Sequence, residues 1–450
     1  MGERERITAR RAVPVATMTA LLLVLAGCTV RRAGDCLSSP AKGGTAAVIP
    51  AQGVTKTTVT LSMLAVDLNI LAKQGLAPNI GNPAKVAQAV VDDINARGGV
   101  NGRKLVLKVH LLDASSALIN PSGAQGDCIS ATEQDKPLAV VIAAALPAAL
   151  VQCVSVTHPD VAMTMNQWDD SLYTASSGRL FSCCSNTSIS VDRVFRAWPR
   201  LLQQAGGLHP GDKVGIISQQ PGGIANDVRG ALQNSLVPSL KRSGHEVAAQ
   251  AELPCPESSQ TCTQQAAAVQ RMKDAGVKVV FLTAQDLAGA ATVAAAKDID
   301  YHPVWATFGD NVTDTVAHFY APSSQAYDGA YGISTAFQPP TASAAACNRI
   351  ARHAGITFPV GSDGYGFTAV TCLQVQVLAA AVASIHGTIT QAGLISALAA
   401  VQHVPTAHGP LGSFGTDKHD AGNAVFMARY RAATGKFEPI GGRQTVRVVP

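Results

Sequence analysis

The sequence predicts an α/β protein built as two lobes, each holding a parallel sheet covered on both faces. Three observations predict it. Runs rich in β-formers alternate with amphipathic helical runs along most of the chain. The alternation lapses at residues 169–190 and then begins again. Once a leader and a tether are set aside, about 395 of the 450 residues remain, too many for one ordinary core.

The leader comes first. Arg4, Arg6, Arg10 and Arg11 form a basic region, Val13 to Leu25 an apolar run, and Leu25-Ala26-Gly27-Cys28 ends it as a lipoprotein processing site does. The run falls short of the roughly 20 apolar residues that span a bilayer. Residues 1–27 therefore read as a signal peptide and Cys28 as the lipidated residue. The mature chain is expected on the extracytoplasmic face of the cell membrane, held by its lipid anchor. Residues 28–55, rich in Gly, Ala, Ser, Thr and Pro, read as a flexible tether. Beyond the leader no apolar run reads as long and uninterrupted enough to cross a membrane.

The first lobe opens with a strand at Val59 to Ala65. Asn82-Pro83 supplies an N-cap followed by proline at N1, and Val86, Val90 and Ile94 recur at four-residue spacing until Gly98-Gly99 stops the helix. Strands follow at Leu105 to Leu112, Ala139 to Ala143 and Val161 to Thr164. Residues 169–190, with Ser, Thr, Gly and paired Cys, show no periodicity. The second series then runs through a helix at 190–205, a strand at Val214 to Ser218, a helix at 225–242, a strand at 246–252, a helix at 263–275 and strands at Val277 to Thr283 and Val304 to Thr307. Segment 329–337 reads as a strand crossing between lobes, 365–386 as a buried helix, and Ala424 to Arg431 with Lys436 to Ile440 as a hairpin around Thr434-Gly435.

Charge excludes some functions. Lys and Arg number 35 against 30 acidic residues, a net +5 that falls to +3 when the leader takes away four Arg and two Glu. So mild a balance does not suit a nucleic-acid binder. The cysteines fit an oxidising compartment: of 10, nine remain beside Cys28. Cys255 with Cys262, Cys128 with Cys153, and Cys347 with Cys372 are the expected pairs, leaving Cys36, Cys183 and Cys184. None of the spacings is a zinc pattern, and neither a metal nor another cofactor is expected. The 11 histidines include no H-E-x-x-H, and no G-x-S-x-G elbow is present, so no enzyme is expected. His419 with Asp417 and Asp420 is the nearest approach to an acid–base cluster, and its context reads as a solvated surface turn.

Val91-Asp92-Asp93-Ile94-Asn95-Ala96-Arg97-Gly98-Gly99-Val100-Asn101-Gly102-Arg103-Lys104-Leu105 resembles the segment DINAxGGxxGxKL of the type I periplasmic binding proteins, in their leucine/isoleucine/valine-binding branch. Gly409-Pro410-Leu411-Gly412-Ser413-Phe414 with Gly435-Lys436-Phe437 is similar to that family's closing segment. The resemblance covers residues 56–445. It implies two Rossmann-like lobes joined by three hinge crossings, with lobe one from 56–185 and 330–400 and lobe two from 186–329 and 401–450. It also implies the solute-binding subunit of an ABC importer, with a membrane permease complex as partner.

In open α/β sheets ligands sit beyond the carboxyl ends of the strands, so the loops there carry the expected site. Family members that bind amino acids place hydroxyls in the first-lobe turns. Here Ala145 and Leu146 follow the third strand, in a turn without a hydroxyl and with Pro147 lacking an N–H. Asn166, Gln167 and Trp168 follow the fourth. In the second lobe the candidates are Gln219, Gln220, Gln285, Asp286, Phe308 and Asp310. Amides and aromatic rings in place of hydroxyls favour a small polar organic solute, amino-acid-like or an amide or aromatic compound. Trp168→Ala is expected to weaken binding and spare the fold. The alternative is a ligand-sensing or protein-interaction subunit using the same fold without transport.

Overall fold

The computed structural model describes residues 50–73, 79–114, 121–143, 148–185, 188–220, 228–254, 264–284, 286–309, 323–334, 340–440 and 446–447. The leader, Cys28, Cys36, Cys255 and Cys262 lie outside them. Residues 48–450 form one compact unit of their own. Of the expected tether, residues 50–55 are docked on the fold: Ala51 N donates to Ile389 O at 2.9 Å, and Val54 bridges Val59.

Two sheets organise the chain. The first has the order β2-β1-β3-β4-β5, from β1 (Thr58–Asp67), β2 (Lys104–Asp113), β3 (Ala139–Ile142), β4 (Val161–Thr164) and β5 (Leu180–Ser182), every pair parallel. The second contains β6 (Val214–Gln219), β7 (Val247–Leu253), β8 (Val279–Leu282), β9 (Val304–Phe308), β10 (Tyr331–Ser334), β11 (Ala424–Arg431), β12 (Lys436–Pro439) and β13 (Val446–Arg447). Its order is β12-β11-β10-β9-β8-β6-β7, parallel from β7 to β10 and antiparallel beyond, with β13 paired to β11.

Local signals account for most of these elements. Asn82 Oδ1 accepts from Lys85 N at 3.0 Å, and Gly98 and Gly99 at φ 103 and 73 end the helix Pro83–Ala96 in a conformation that a β-carbon disfavours. The hairpin closes at Arg431↔Lys436 with Gly435 at φ 65. Where no period was legible, a six-residue helix, Asp170–Ala175, and the three-residue β5 are present. Elements that short carry too few repeats to reveal a period. Asp363–Ala383 is, by length and composition, apolar enough to span a bilayer, contrary to expectation, but most of it is buried against the first sheet as a core helix.

Each sheet is covered on both faces. One face of the first sheet packs Val59, Leu61 and Met63 against Val86, Val90, Ala369 and Leu373, and the other packs Leu64, Val140 and Ala162 against Leu150, Val154 and Trp168. The second sheet likewise has a core around Phe195, Trp198 and Phe281 and another around Val269, Val280 and Trp305. The chain crosses between sheets after β5, after β10 and before β11. Val404, Ala407, Phe414 and Ala421 belong to the first core, and β10 to the second sheet.

Disulfides join Cys128 to Cys153 (S–S 2.07 Å), Cys347 to Cys372 (2.03 Å) and the neighbours Cys183 and Cys184.

One buried acid makes stability pH-dependent. Asp160, 2% exposed, accepts from Gln52 Nε2 at 2.5 Å, yet burial pushes its carboxyl up from 3.8 to about 7, against the pull of Gln52 and Arg179. Because the folded pKa is raised, the group's contribution is fully present below the unfolded value near 4 and is lost as pH rises through about 7. Asp160→Asn should therefore raise the melting temperature at pH 8 by a few degrees, about 1–2 kcal/mol, and change little at pH 4. Equal shifts at both pH values would refute this account.

Candidate functional site

The loops beyond the strand ends of the two sheets meet. Gln167, after β4, lies against Gly309, after β9: a β-carbon built on Gly309 (φ +63) would sit 3.0 Å from Gln167 Oε1. Asp169 Oδ2 similarly lies 3.4 Å from where Gly230 would carry a β-carbon. Two glycines thus let the first-lobe loop approach the second lobe closely. Gly309 adjoins Phe308, whose ring is packed in the second-lobe core with Phe195 and Trp198.

Burial divides the other candidates. Gln167 is 6% exposed, Trp168 2%, Gln219 4% and Phe308 3%, while Asn166 is half-buried and Gln220 exposed. Trp168 is packed in the first-lobe core with Leu64, Val66 and Leu172. Phe308 lies edge-on to Phe195 with ring centroids 4.9 Å apart. Ala145, Leu146, Gln285 and Asp310 lie outside the described residues; Asp286 begins the helix Asp286–Asp298. The described candidate brought to the junction is therefore Gln167.

Sequence reasoning missed three groups nearby. Gln374, fully buried in the helix Asp363–Ala383, donates from Nε2 to Ile142 O and Met163 O at 3.3 and 3.4 Å, near the carboxyl ends of β3 and β4. Its Oε1, Trp168 Nε1 and Thr307 Oγ1 are buried without a hydrogen-bond partner, an expensive condition that a bound water or solute would relieve. The signal for Gln374 was available: a glutamine amid Leu373, Val375, Val377 and Leu378 is a polar group in an apolar run.

The third group holds the hinge. Asp420 accepts from Ser190 N at 2.7 Å and forms an ion pair with Arg193, whose Nη1 also donates to Gly422 O at 2.8 Å; the two side chains are 4% and 6% exposed. The sequence reading of a solvated turn fails at Asp420, because its partner stands 227 residues away and no local pattern announces it. Burial raises the Asp420 carboxyl above its ordinary value despite Arg193 and Lys418, and burial lowers Lys418 to about 8. Beside it, Asp170 N donates to Asp192 Oδ2 at 2.8 Å, Ser190 Oγ to Asp170 Oδ1 at 2.6 Å, and Val191 N to Trp168 O at 3.0 Å. A cavity of about 840 Å³ opens next to this network, bordered by Asp170, Tyr173, Arg196, Lys418 and His419. Among the described residues, none of the expected ligand residues lines it.

A family model described as periplasmic binding protein matches residues 69–436. Among solved structures, the chain is similar to a fatty acid ABC transporter substrate-binding protein from Thermomonospora curvata, at 18% identity over 89% of this chain and 95% of that one, TM-score 0.60. It is also similar to a branched-chain amino acid ABC transporter protein from Thermus thermophilus with bound valine, at 14% over 88% and 97%, TM-score 0.60. A third is the branched-chain amino acid transporter substrate-binding protein from Streptococcus pneumoniae in complex with isoleucine, at 16% over 87% and 100%, TM-score 0.56. At such identities the likeness is one of fold. No curated protein matches the chain.

Proposed function

Because the chain belongs to the periplasmic binding protein family, a family of extracytoplasmic solute binders and not of enzymes, we propose that it captures a small polar organic solute by closure of its lobes and delivers it to an ABC importer. In this reading Cys28 carries the lipid anchor and residues 28–49 the leash. The observation that supports it is Gln167 at Gly309. An amide held where the two lobes meet gives a solute paired donors and acceptors only when the lobes are together. A second reading, an apolar carboxylic acid, draws support from the hydroxyl-free stretch Ala143 to Leu150 and from the fatty acid protein's similar fold.

A thermal-shift screen of residues 48–450 against amides, aromatic acids, amino acids and fatty acids separates the two. A ligand at about 100 times its dissociation constant adds about 2.7 kcal/mol. For an amide or aromatic hit, Gln167→Ala should weaken binding about 5–10-fold, the net worth of about 1–1.5 kcal/mol for one hydrogen bond. Unchanged affinity would remove Gln167 from the site. A fatty acid hit alone would favour the second reading, and silence from a well-folded sample would shift the assignment to a protein-interaction subunit.

A further inference from the structure

Strand β2 forms one edge of the first sheet and pairs with β1 through Thr58↔Lys104 to Asp67↔Asp113 without a register shift. Long edge strands are ordinarily blunted by proline, a bulge or several charges, because their free N–H and C=O groups template further pairing. From Leu105 to Leu112, β2 has neither proline nor bulge, and Lys108 is its one Lys, Arg, Asp or Glu. The edge strand β7 of the second sheet is different, its pairing with β6 carrying a register shift between Val214 and Gly215. Leu107, Val109 and Leu111 share one face of β2. Leu107 is partly covered by the first core, while Val109 is 38% and Leu111 44% exposed.

The geometry points to a second copy of this chain as the partner, added antiparallel along β2 about a two-fold axis normal to the sheet. Such an axis keeps each sheet face on its own side. Since side chains alternate between faces, only residues of equal parity can oppose one another. Two registers centre near the middle of the strand. Centred on Lys108, the pairing sets that lysine against itself, which is repulsive. Centred on Val109, it sets Val109 against Val109 and Leu107 against Leu111 on both sides of the axis, making one apolar stripe of six side chains. On the opposite face Val106 then meets Leu112, and Lys108 meets His110. Asp135 Oδ2 lies 2.6 Å from His110 Nε2, so the lysine approaches an imidazole already paired with a carboxylate. Charge and apolar pattern thus select the same register.

Sedimentation equilibrium of residues 48–450 from ~5 to ~500 µM tests the pairing, the range in which a single-ribbon interface associates. A monomer–dimer equilibrium is expected. Val109→Lys places like charges on the axis at an exposed position and should weaken association at least 10-fold with an unchanged melting temperature. Lys108→Glu replaces the lysine facing the His110–Asp135 pair with a second carboxylate and should weaken it several-fold; in the other register it would exchange one like-charge pair for another and leave association unchanged. A monomer at every concentration overturns the proposal, as does a dimer indifferent to both substitutions. Should Val109→Lys fail to fold, Lys108→Glu alone decides, with unchanged or tightened association counting against the Val109-centred pairing.

Discussion

Asp420→Ala is expected to destabilise the protein by about 3–5 kcal/mol, the usual loss when one member of a buried ion pair is removed. The cause is what remains. Arg193, 6% exposed, keeps its charge but loses the carboxylate, and Gly422 O is then the acceptor for Nη1 that persists. Ser190 N, which donates to Asp420 at 2.7 Å, also loses its partner at the start of the helix Val191–Gln204. Both losses fall where the chain crosses between lobes, so the variant should also shift any solute-binding equilibrium. Denaturant titration of residues 48–450 gives the first quantity directly. Replacing both partners, Arg193→Met with Asp420→Leu, should recover part of the loss, since it removes the buried guanidinium while Lys418, 19% exposed, loses its Asp420 partner. A single variant as stable as the parent would show that Arg193 finds another counter-ion and that the pair is dispensable.

Trp168→Ala should cost a similar amount, about 3–5 kcal/mol, through the cavity it leaves. This revises the sequence-level expectation that the substitution spares the fold. Trp168 is 2% exposed and packs among Leu64, Val66, Ala162 and Leu172, so truncation removes a large side chain from the first-lobe core. Its backbone carbonyl accepts from Val191 N at 3.0 Å, which ties the same loop to the hinge. Trp168→Phe keeps most of the volume and removes the orphaned Nε1 together with part of the indole ring. It should cost far less stability, and any loss of solute affinity in that variant would locate the indole at the ligand. A Trp168→Ala protein with an unaltered denaturation midpoint would refute the packing argument.

Residues 91–105 show how much of the fold was legible. Asn82 and Pro83 start the helix, the glycines stop it, and β2 follows at once, each step read from neighbours within four residues. β5 was not legible, because three residues carry no period and its place is taken by pairing with β4. The site divides in the same way. That Gln167 would stand beyond a strand end follows from where β4 stops, whereas Phe308, expected in a loop, is the last residue of β9. That Gln167 would rest on Gly309, or that Gln374 would donate to β3 and β4 from a helix more than 200 residues later, follows from no local pattern.

By itself the sequence determined the alternating β/α order, the restart that makes two lobes and the strand ends that carry the loops. These rest on caps, turns and hydrophobic period, which act between residues a few positions apart. Tertiary structure alone decided which polar groups became buried and whom they met: Asp420 with Arg193, Trp168 with the core, Gln167 with Gly309. A side chain's burial depends on chain brought back from far along the sequence, and for charged and amide groups that burial decides whether they are solvated, paired or left open to a ligand.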